Sequence, residues 1–253
     1  MGSNLAIIFA GGSGARMGSG LPKQFIEVNG KPIIIHTLDI FEEHPAIDKI
    51  YIACKEDYIS KLEKYTKRFF ITKVAKIVPG GATGQDSIYH ALSAAAEENP
   101  ADSIVLIHDG VRPCITSELI DDDLACVKEK GSAVTCTALF ETPVVSKDGM
   151  EVDEVPPRKE LFTAQAPQCF YLGEVMEAHK KMRETNPKYE GIVDTCTLMK
   201  KSGKRVAIVE GNRGNIKVTT PEDLYTFRAM IQYRETEQVF GFAAKEVPGK
   251  LNK

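Results

Sequence analysis

The sequence contains no apolar run long enough to span a bilayer, no CxxC pair, no acidic or basic tail, no low-complexity segment and no internal repeat. Each absence removes a class of protein. The apolar run at residues 5–10 is too short for a membrane helix and lacks the basic flank of a signal peptide. Without a CxxC pair, the widely spread Cys54, Cys114, Cys126, Cys136, Cys169 and Cys196 read as buried free thiols rather than as disulfides or zinc ligands. That points to a reducing, cytoplasmic setting. A net charge of only −3 gives no electrostatic support for a general nucleic-acid or membrane-surface role. Any anion site must be local, built by a few lysines and arginines that folding brings together.

What is present suits a globular enzyme. The 253 residues are 43% hydrophobic and 26% charged, enough to bury a sizeable core. Residues 5–10 form a continuous apolar run ending in glycines, the pattern of a strand buried on both faces in a parallel sheet. A Gly-rich loop runs to about Gly20, and an amphipathic helix follows at 32–41. Strand patterns at 47–54 and 71–78 flank a charged helical stretch at 56–69. An Ala-rich helix is expected over 86–98, with Ser87 near its start. The strand at 103–108 ends at Asp109, and a helix over 117–130 has Ser117 as its expected cap. A further strand is read at 133–138. This alternation predicts a three-layer α/β fold around a mostly parallel sheet. The rhythm breaks near Pro143, where residues 144–152 carry an Asp148-Gly149 turn and read as a β-hairpin arm inserted for contact with another molecule. Helices at 174–183, 195–202 and 221–234 and a strand at 205–209 complete the pattern. One domain is therefore expected over 1–240, with an arm at about 142–158 and a mobile tail at 241–253.

The first strand-to-helix turn reads Ala10-Gly11-Gly12-Ser13-Gly14-Ala15-Arg16-Met17. Glycines there let backbone N–H groups approach an anion without a Cβ in the way. The P-loop pattern fails, because Ala15-Arg16 stands where Lys-Ser/Thr is required. The dinucleotide fingerprint fails as well, because Met17 takes the place of its third glycine. What remains is a glycine turn carrying Arg16 and followed by Pro22-Lys23-Gln24. Two cations beside backbone donors suit a triphosphate.

Together with Gly30-Lys31-Pro32-Ile33, these residues resemble the opening of the cytidylyltransferases that act on 2-C-methyl-D-erythritol 4-phosphate and on D-ribitol 5-phosphate. Further blocks match in order: Gly80-Gly81 with Asp86-Ser87-Ile88; His108-Asp109-Gly110-Val111-Arg112-Pro113; Ala164 to Phe170; and Asn215 to Leu224. The resemblance spans most of the chain. It implies the Rossmann-like nucleotidyltransferase fold, a requirement for Mg²⁺, and a homodimer in which the arm reaches the neighbouring subunit. It also implies the reaction, transfer of CMP from CTP to a polyol phosphate with release of pyrophosphate.

The same resemblance assigns roles. Arg16 and Lys23 hold the transition state, a fork and a point charge beside a glycine nest. Ala10, Gly11, Gly12, Ser13 and Gly14 cradle the nucleotide, and Gly80, Gly81, Ala82 and Ser87 read the base. Lys217 positions the acceptor phosphate, and Arg158 does so from the partner subunit. Asp109, at a strand end, meets a substrate hydroxyl or the metal, with an ion pair to Arg112 as the plainer reading. Thr142 and Thr195 are further hydroxyl contacts. His108 reads as a packed strand-end residue rather than a base, since the attacking phosphate is already anionic. Gly84 stands where the family turn usually carries an arginine, and Gly110 where it carries alanine. Val111 and Val155-Pro156-Pro157-Arg158 lean toward the ribitol 5-phosphate branch, which would feed an envelope or capsule polymer. The alternative acceptor is 2-C-methyl-D-erythritol 4-phosphate of isoprenoid precursor synthesis. A sugar-nucleotide pyrophosphorylase and a non-catalytic nucleotide-binding module are the competing classes.

Overall fold

A computed structural model describes residues 2–12 and 21–240, and within these the side chains of all but 237–240. Ser13, Gly14 and Arg16 of the glycine turn and the expected tail at 241–253 lie outside the described residues.

Strand β1 (Asn4–Ala10) is the apolar run, and its side chains alternate between two cores. Ala6, Ile8 and Ala10 enter one cluster; Leu5 and Ile7 enter the other. Burial on both faces is why the run shows no polar alternation. Parallel neighbours β4 (Lys49–Cys54) and β6 (Ile104–Asp109) flank β1, and β5 (Val74–Pro79) extends the sheet beyond β4. On the far side lie β8 (Phe162–Tyr171), β7 (Ser132–Ala138) and β9 (Ile208–Glu210), giving the order β5-β4-β1-β6-β8-β7-β9. Only β8 runs antiparallel to its neighbours. Helices α1 (Ile33–Glu43), α2 (Ile59–Arg68) and α4 (Ser117–Lys130) contribute to the first core. Helices α3 (Gly84–Ala96), α5 (Leu172–Thr185) and α6 (Thr195–Lys201) cover the other face. The result is the three-layer, mostly parallel α/β architecture that the alternation predicts.

Several boundaries differ from the sequence reading, each for a local reason. Helix α3 begins at Gly84, and its cap is Thr83, which forms a capping box with Asp86; Ser87 lies inside the helix. The cap of α4 is Thr116, whose hydroxyl accepts from the Leu119 N–H, and Ser117 is the first helical residue. Two short strands, β2 (Glu27–Val28) and β3 (Lys31–Pro32), pair across Asn29-Gly30, both at positive φ. The last helix, α7 (Pro221–Phe240), is longer than its pattern suggests. The arm between β7 and β8 turns back on itself, with antiparallel pairing limited to Val145 and Glu154. Its tip is wider than a two-residue turn, because the Asp148 carboxylate accepts from the Met150 and Glu151 N–H groups and rounds the chain. Phe140, Val144, Met150, Val152 and Val155 stand exposed along it.

The fold delivers the C-terminal ends of its parallel strands to one edge. Phe9 of β1 is in register with Asp109 of β6, and Ala10 with Cys54 of β4. In an open α/β sheet this edge is where a crevice forms. Among the described residues, no helix is long and apolar enough to cross a membrane.

Candidate active site

The cleft at this edge has two lobes that share Phe9, Gly84, Asp109 and Lys217. The first lobe gathers Ala10, Gly11, Gly12, Lys23, Gly81, Ala82 and Ser87. Residues 23–25 form a single 3-10 turn that brings Lys23 to this lobe. Gln24 anchors that turn to the glycine loop: its amide donates to the Ala10 carbonyl at 2.7 Å and to the Gly12 carbonyl at 3.3 Å. Sequence reasoning passed over Gln24, although it stands directly after Lys23.

Across the lobe, Ser87 organises the second glycine turn. Its hydroxyl donates to the Thr83 carbonyl at 3.0 Å and accepts from the Gly81 N–H at 3.0 Å. Its proton is therefore spent inside the loop, and any contact it makes to a ligand is as an acceptor. Glycine is required at two positions here. A Cβ on Gly81 would fall 2.1 Å from the Asp86 Cβ, and one on Gly11 would fall 2.9 Å from the Ser87 hydroxyl. Gly80 lies behind the lobe, donating its N–H to the Cys54 carbonyl at 2.7 Å. Gly84 has open space where a side chain would stand. The missing arginine is thus no consequence of crowding.

Between the lobes sits a charged knot. Asp109 accepts from Lys217 Nζ through Oδ1 at 2.5 Å and from Arg112 Nε through Oδ2 at 2.9 Å. Burial alone would push the Asp109 carboxyl up, but the Lys217 and Arg112 charges outweigh it and hold the group below its ordinary value. Lys217 is aimed by its neighbours. Ile216 and Val218 pack in a third core with Val28, Ile33, Val111 and Phe227, and the Val218 N–H donates to the Val111 carbonyl. The residue between them faces the other way, onto Asp109. Arg112 in turn donates to the Asn215 carbonyl at 2.7 Å, and the Asn215 amide donates to the Ala166 carbonyl at 2.6 Å. One network therefore joins the blocks around residues 109, 165 and 215.

His108 is fully buried, with Nε2 bonded to the Arg112 carbonyl at 3.0 Å. Burial pushes its pKa down to about 4, so it is a neutral packed ring at neutral pH.

The second lobe is walled by Gln85, Ile88, Ile107, Ala164, Gln165, Gln168, Asp194 and Thr195. Asp194 caps α6, and its second oxygen accepts from the Gln168 amide at 2.9 Å. Thr195 is buried with its hydroxyl unpartnered, and the same is true of the Gln85 carbonyl oxygen. Gln85 and Gln168 carry no chemistry-bearing signal in the sequence, because only the fold brings them to a cleft.

Besides Gly80, two expected site residues lie outside both lobes. Arg158 and Thr142 are exposed on the arm and line neither lobe of their own chain. Arg158 donates to the Phe140 carbonyl at 2.7 Å. Among the described residues, no group of three or more His, Cys, Asp or Glu side chains gathers to hold a metal. Asp109 is the one carboxylate shared by both lobes. Each of its oxygens keeps a lone pair beyond its present cation. That donor set fits a divalent ion held chiefly by phosphate oxygens with a single protein carboxylate.

Residues 5–233 match the family model described as IspD, 2-C-methyl-D-erythritol 4-phosphate cytidylyltransferase. A ribitol-5-phosphate cytidylyltransferase of Streptococcus agalactiae serotype III (strain NEM316) is 45% identical over 242 residues, covering 94% of this chain and 99% of that protein. A 2-C-methyl-D-erythritol 4-phosphate cytidylyltransferase of Clostridium botulinum (strain Langeland / NCTC 10281 / Type F) is 37% identical over 224 residues, covering 88% and 95%. Among solved structures, 4-diphosphocytidyl-2C-methyl-D-erythritol synthase from Anaerococcus prevotii superposes with a TM-score of 0.77 at 27% identity, covering 91% of this chain and 96% of that one.

Proposed function

The chain belongs to the IspD family of cytidylyltransferases, and from that premise we propose that it transfers CMP from CTP to D-ribitol 5-phosphate, releasing pyrophosphate. Cytidylyl transfer to a polyol phosphate is common to the family; the acceptor and the site roles are our reading. The observation that carries the acceptor is the 45% identity to a ribitol-5-phosphate cytidylyltransferase over 94% of this chain, against 37% over 88% for the methylerythritol-phosphate relative. The product, CDP-ribitol, would supply an envelope or capsule polymer.

In this reading CTP occupies the first lobe, with its base against Gly81, Ala82 and Ser87, Gly80 supporting that turn from behind, and its phosphates over residues 10–14. The acceptor occupies the second lobe. An oxygen of its phosphate attacks the α-phosphorus, the bond from that phosphorus to the bridging oxygen breaks, and pyrophosphate leaves. The nucleophile is already an anion, so no general base is needed. His108, neutral and tied to a carbonyl, serves only as packing. Catalysis of such a step is positioning and charge stabilisation. Lys23 and Arg16 neutralise charge on the α-phosphate and the leaving group. Lys217, held on Asp109, meets the acceptor phosphate, and Thr195 and Asp109 meet acceptor hydroxyls. Asp109 would hold Mg²⁺ together with the nucleotide phosphates, and the ion would supply further charge neutralisation there.

Arg158 and Thr142 act across a homodimer in this reading. Their exposure on an arm bearing Phe140, Val144, Met150, Val152 and Val155 supports it, since clustered exposed apolar side chains mark contact surfaces. Six cysteines without a disulfide suit the cytoplasm. The test is a pyrophosphate-release assay with CTP and each acceptor in turn. Higher kcat/KM with ribitol 5-phosphate is expected; preference for the methylerythritol acceptor would overturn the assignment, and equal turnover of UTP would overturn the cytosine reading.

A further inference from the structure

Most buried polar groups around the cleft are already spent. Each Asp109 oxygen already bonds one cation, the Gln168 amide donates to Asp194 while its oxygen accepts from the Cys196 N–H at 2.8 Å, and the Ser87 proton is used within its loop. Two groups of the second lobe are not. Gln85, 4% exposed on the first turn of α3, has a side-chain oxygen with no partner, and Thr195, 1% exposed, has an unpartnered hydroxyl. Ile88 and Ile107 beside them offer nothing to bond. A buried acceptor without a donor is costly, and the cost ends when a ligand supplies the missing group. Gly84, the residue before Gln85, lines both lobes and has open space where a side chain would stand.

We propose that Gln85 reads the acceptor: its buried amide bonds the hydroxyl farthest from the phosphate on the polyol chain and so selects the five-carbon acceptor over a shorter one with a methyl branch. The inference rests on the reading of the second lobe as the acceptor site. The two acceptors differ in the required way. Ribitol 5-phosphate is an unbranched five-carbon chain with four hydroxyls, whereas 2-C-methyl-D-erythritol 4-phosphate is a four-carbon chain with three, its methyl added on a carbon that keeps its hydroxyl. A hydroxyl both donates and accepts, so it satisfies the amide in either orientation. The shorter chain does not carry a hydroxyl to that position and leaves the amide unpaired, and a site built to bond a hydroxyl rejects an analogue that lacks one there.

The experiment measures kcat and KM for both acceptors at saturating CTP in wild type, Gln85→Leu and Gln85→Met. Both variants keep an apolar side chain of similar reach and suit a helix. The KM for ribitol 5-phosphate should rise ~10-fold, with the KM for CTP unchanged and use of the methyl-branched acceptor equal or improved. The free variants should melt at or above the wild-type temperature, because an unpaired buried acceptor has been removed. An unchanged ratio between acceptors in an enzyme active on ribitol 5-phosphate would overturn the role of Gln85 alone. So would a fall in melting temperature in both variants, which would make the amide a structural partner. A wild-type enzyme that uses neither acceptor, or prefers the methyl-branched one, would overturn this proposal together with the functional reading.

Discussion

Lys217 Nζ lies 2.5 Å from Oδ1 of Asp109, the carboxylate on which both lobes of the cleft meet. The residues are 108 positions apart in sequence, and the contact turns two isolated charges into a device. Asp109 aims the ammonium, and the ammonium keeps Asp109 ionised despite its burial.

Lys217→Met should therefore raise the KM for the acceptor ~10-fold or more, leave the KM for CTP near wild type, and lower kcat. Arg112 still holds the other Asp109 oxygen, so the fold should survive. The lowered pKa of Asp109 contributes stability that is present above the unfolded carboxylate value near ~3.9 and lost as pH falls through the lower folded value. The stability gap between wild type and Lys217→Met should accordingly narrow below about pH 4 in urea titrations. A gap that stayed constant would detach Lys217 from the ionisation of Asp109.

Lys23→Ala should cut kcat by ~10²-fold with an unchanged circular dichroism spectrum, because the lost interaction is made mainly to developing charge. Arg16→Ala should do the same. Near-normal kcat in a folded Lys23→Ala protein would reduce Lys23 to a packing residue of its 3-10 turn.

Arg158→Ala should impair acceptor use and spare CTP binding. Mixed with Lys23→Ala protein under conditions of proven subunit exchange, it should regain part of the lost activity, since each mixed dimer holds one site with both native residues. If exchange occurs without rescue, Arg158 acts within its own chain or not at all.

Asp123 yields a prediction about stability. It is fully buried on α4, and its carboxylate accepts from the Thr135 hydroxyl at 3.1 Å. Burial pushes its pKa up to about 7. A carboxyl whose folded value is raised favours the fold at low pH and loses that contribution as pH rises toward the folded value. Asp123→Asn, neutral throughout, should gain on wild type between about pH 4 and pH 7, by an amount on the order of a few kcal/mol. Chemical denaturation at pH 5 and pH 8 checks this, with the larger advantage expected at pH 8; an advantage that is the same at both would mean that Asp123 is ionised throughout this range.

The helices and parallel strands were legible because their signals are local. The run at residues 5–10 is apolar throughout because both faces of β1 are covered, and helices such as 117–130 carry side chains at a regular spacing. Strand β8 was not legible as a strand. Its Gln165, Pro167 and Gln168 break any apolar pattern, and it is held by pairing with β6 and β7 on either side. Thr83 was missed as a cap because Ser87, four residues on, offers the same hydroxyl, and only the capping box with Asp86 decides between them.

For the site, the sequence by itself determined the chemistry-bearing residue types and the ends of the strands that carry them. The glycine turns, Lys23 and Asp109 follow from local pattern, since a strand end and a glycine turn are short-range properties of the backbone. Tertiary structure decided which of these residues meet. It set Lys217 on Asp109, tied Arg112 to Asn215, kept Arg158 and Thr142 on the arm, and buried the Gln85 side-chain oxygen without a partner. Those outcomes depend on groups far apart in the chain sharing one region of low dielectric, where pairing or its absence changes their energy. No window of neighbouring residues holds that information.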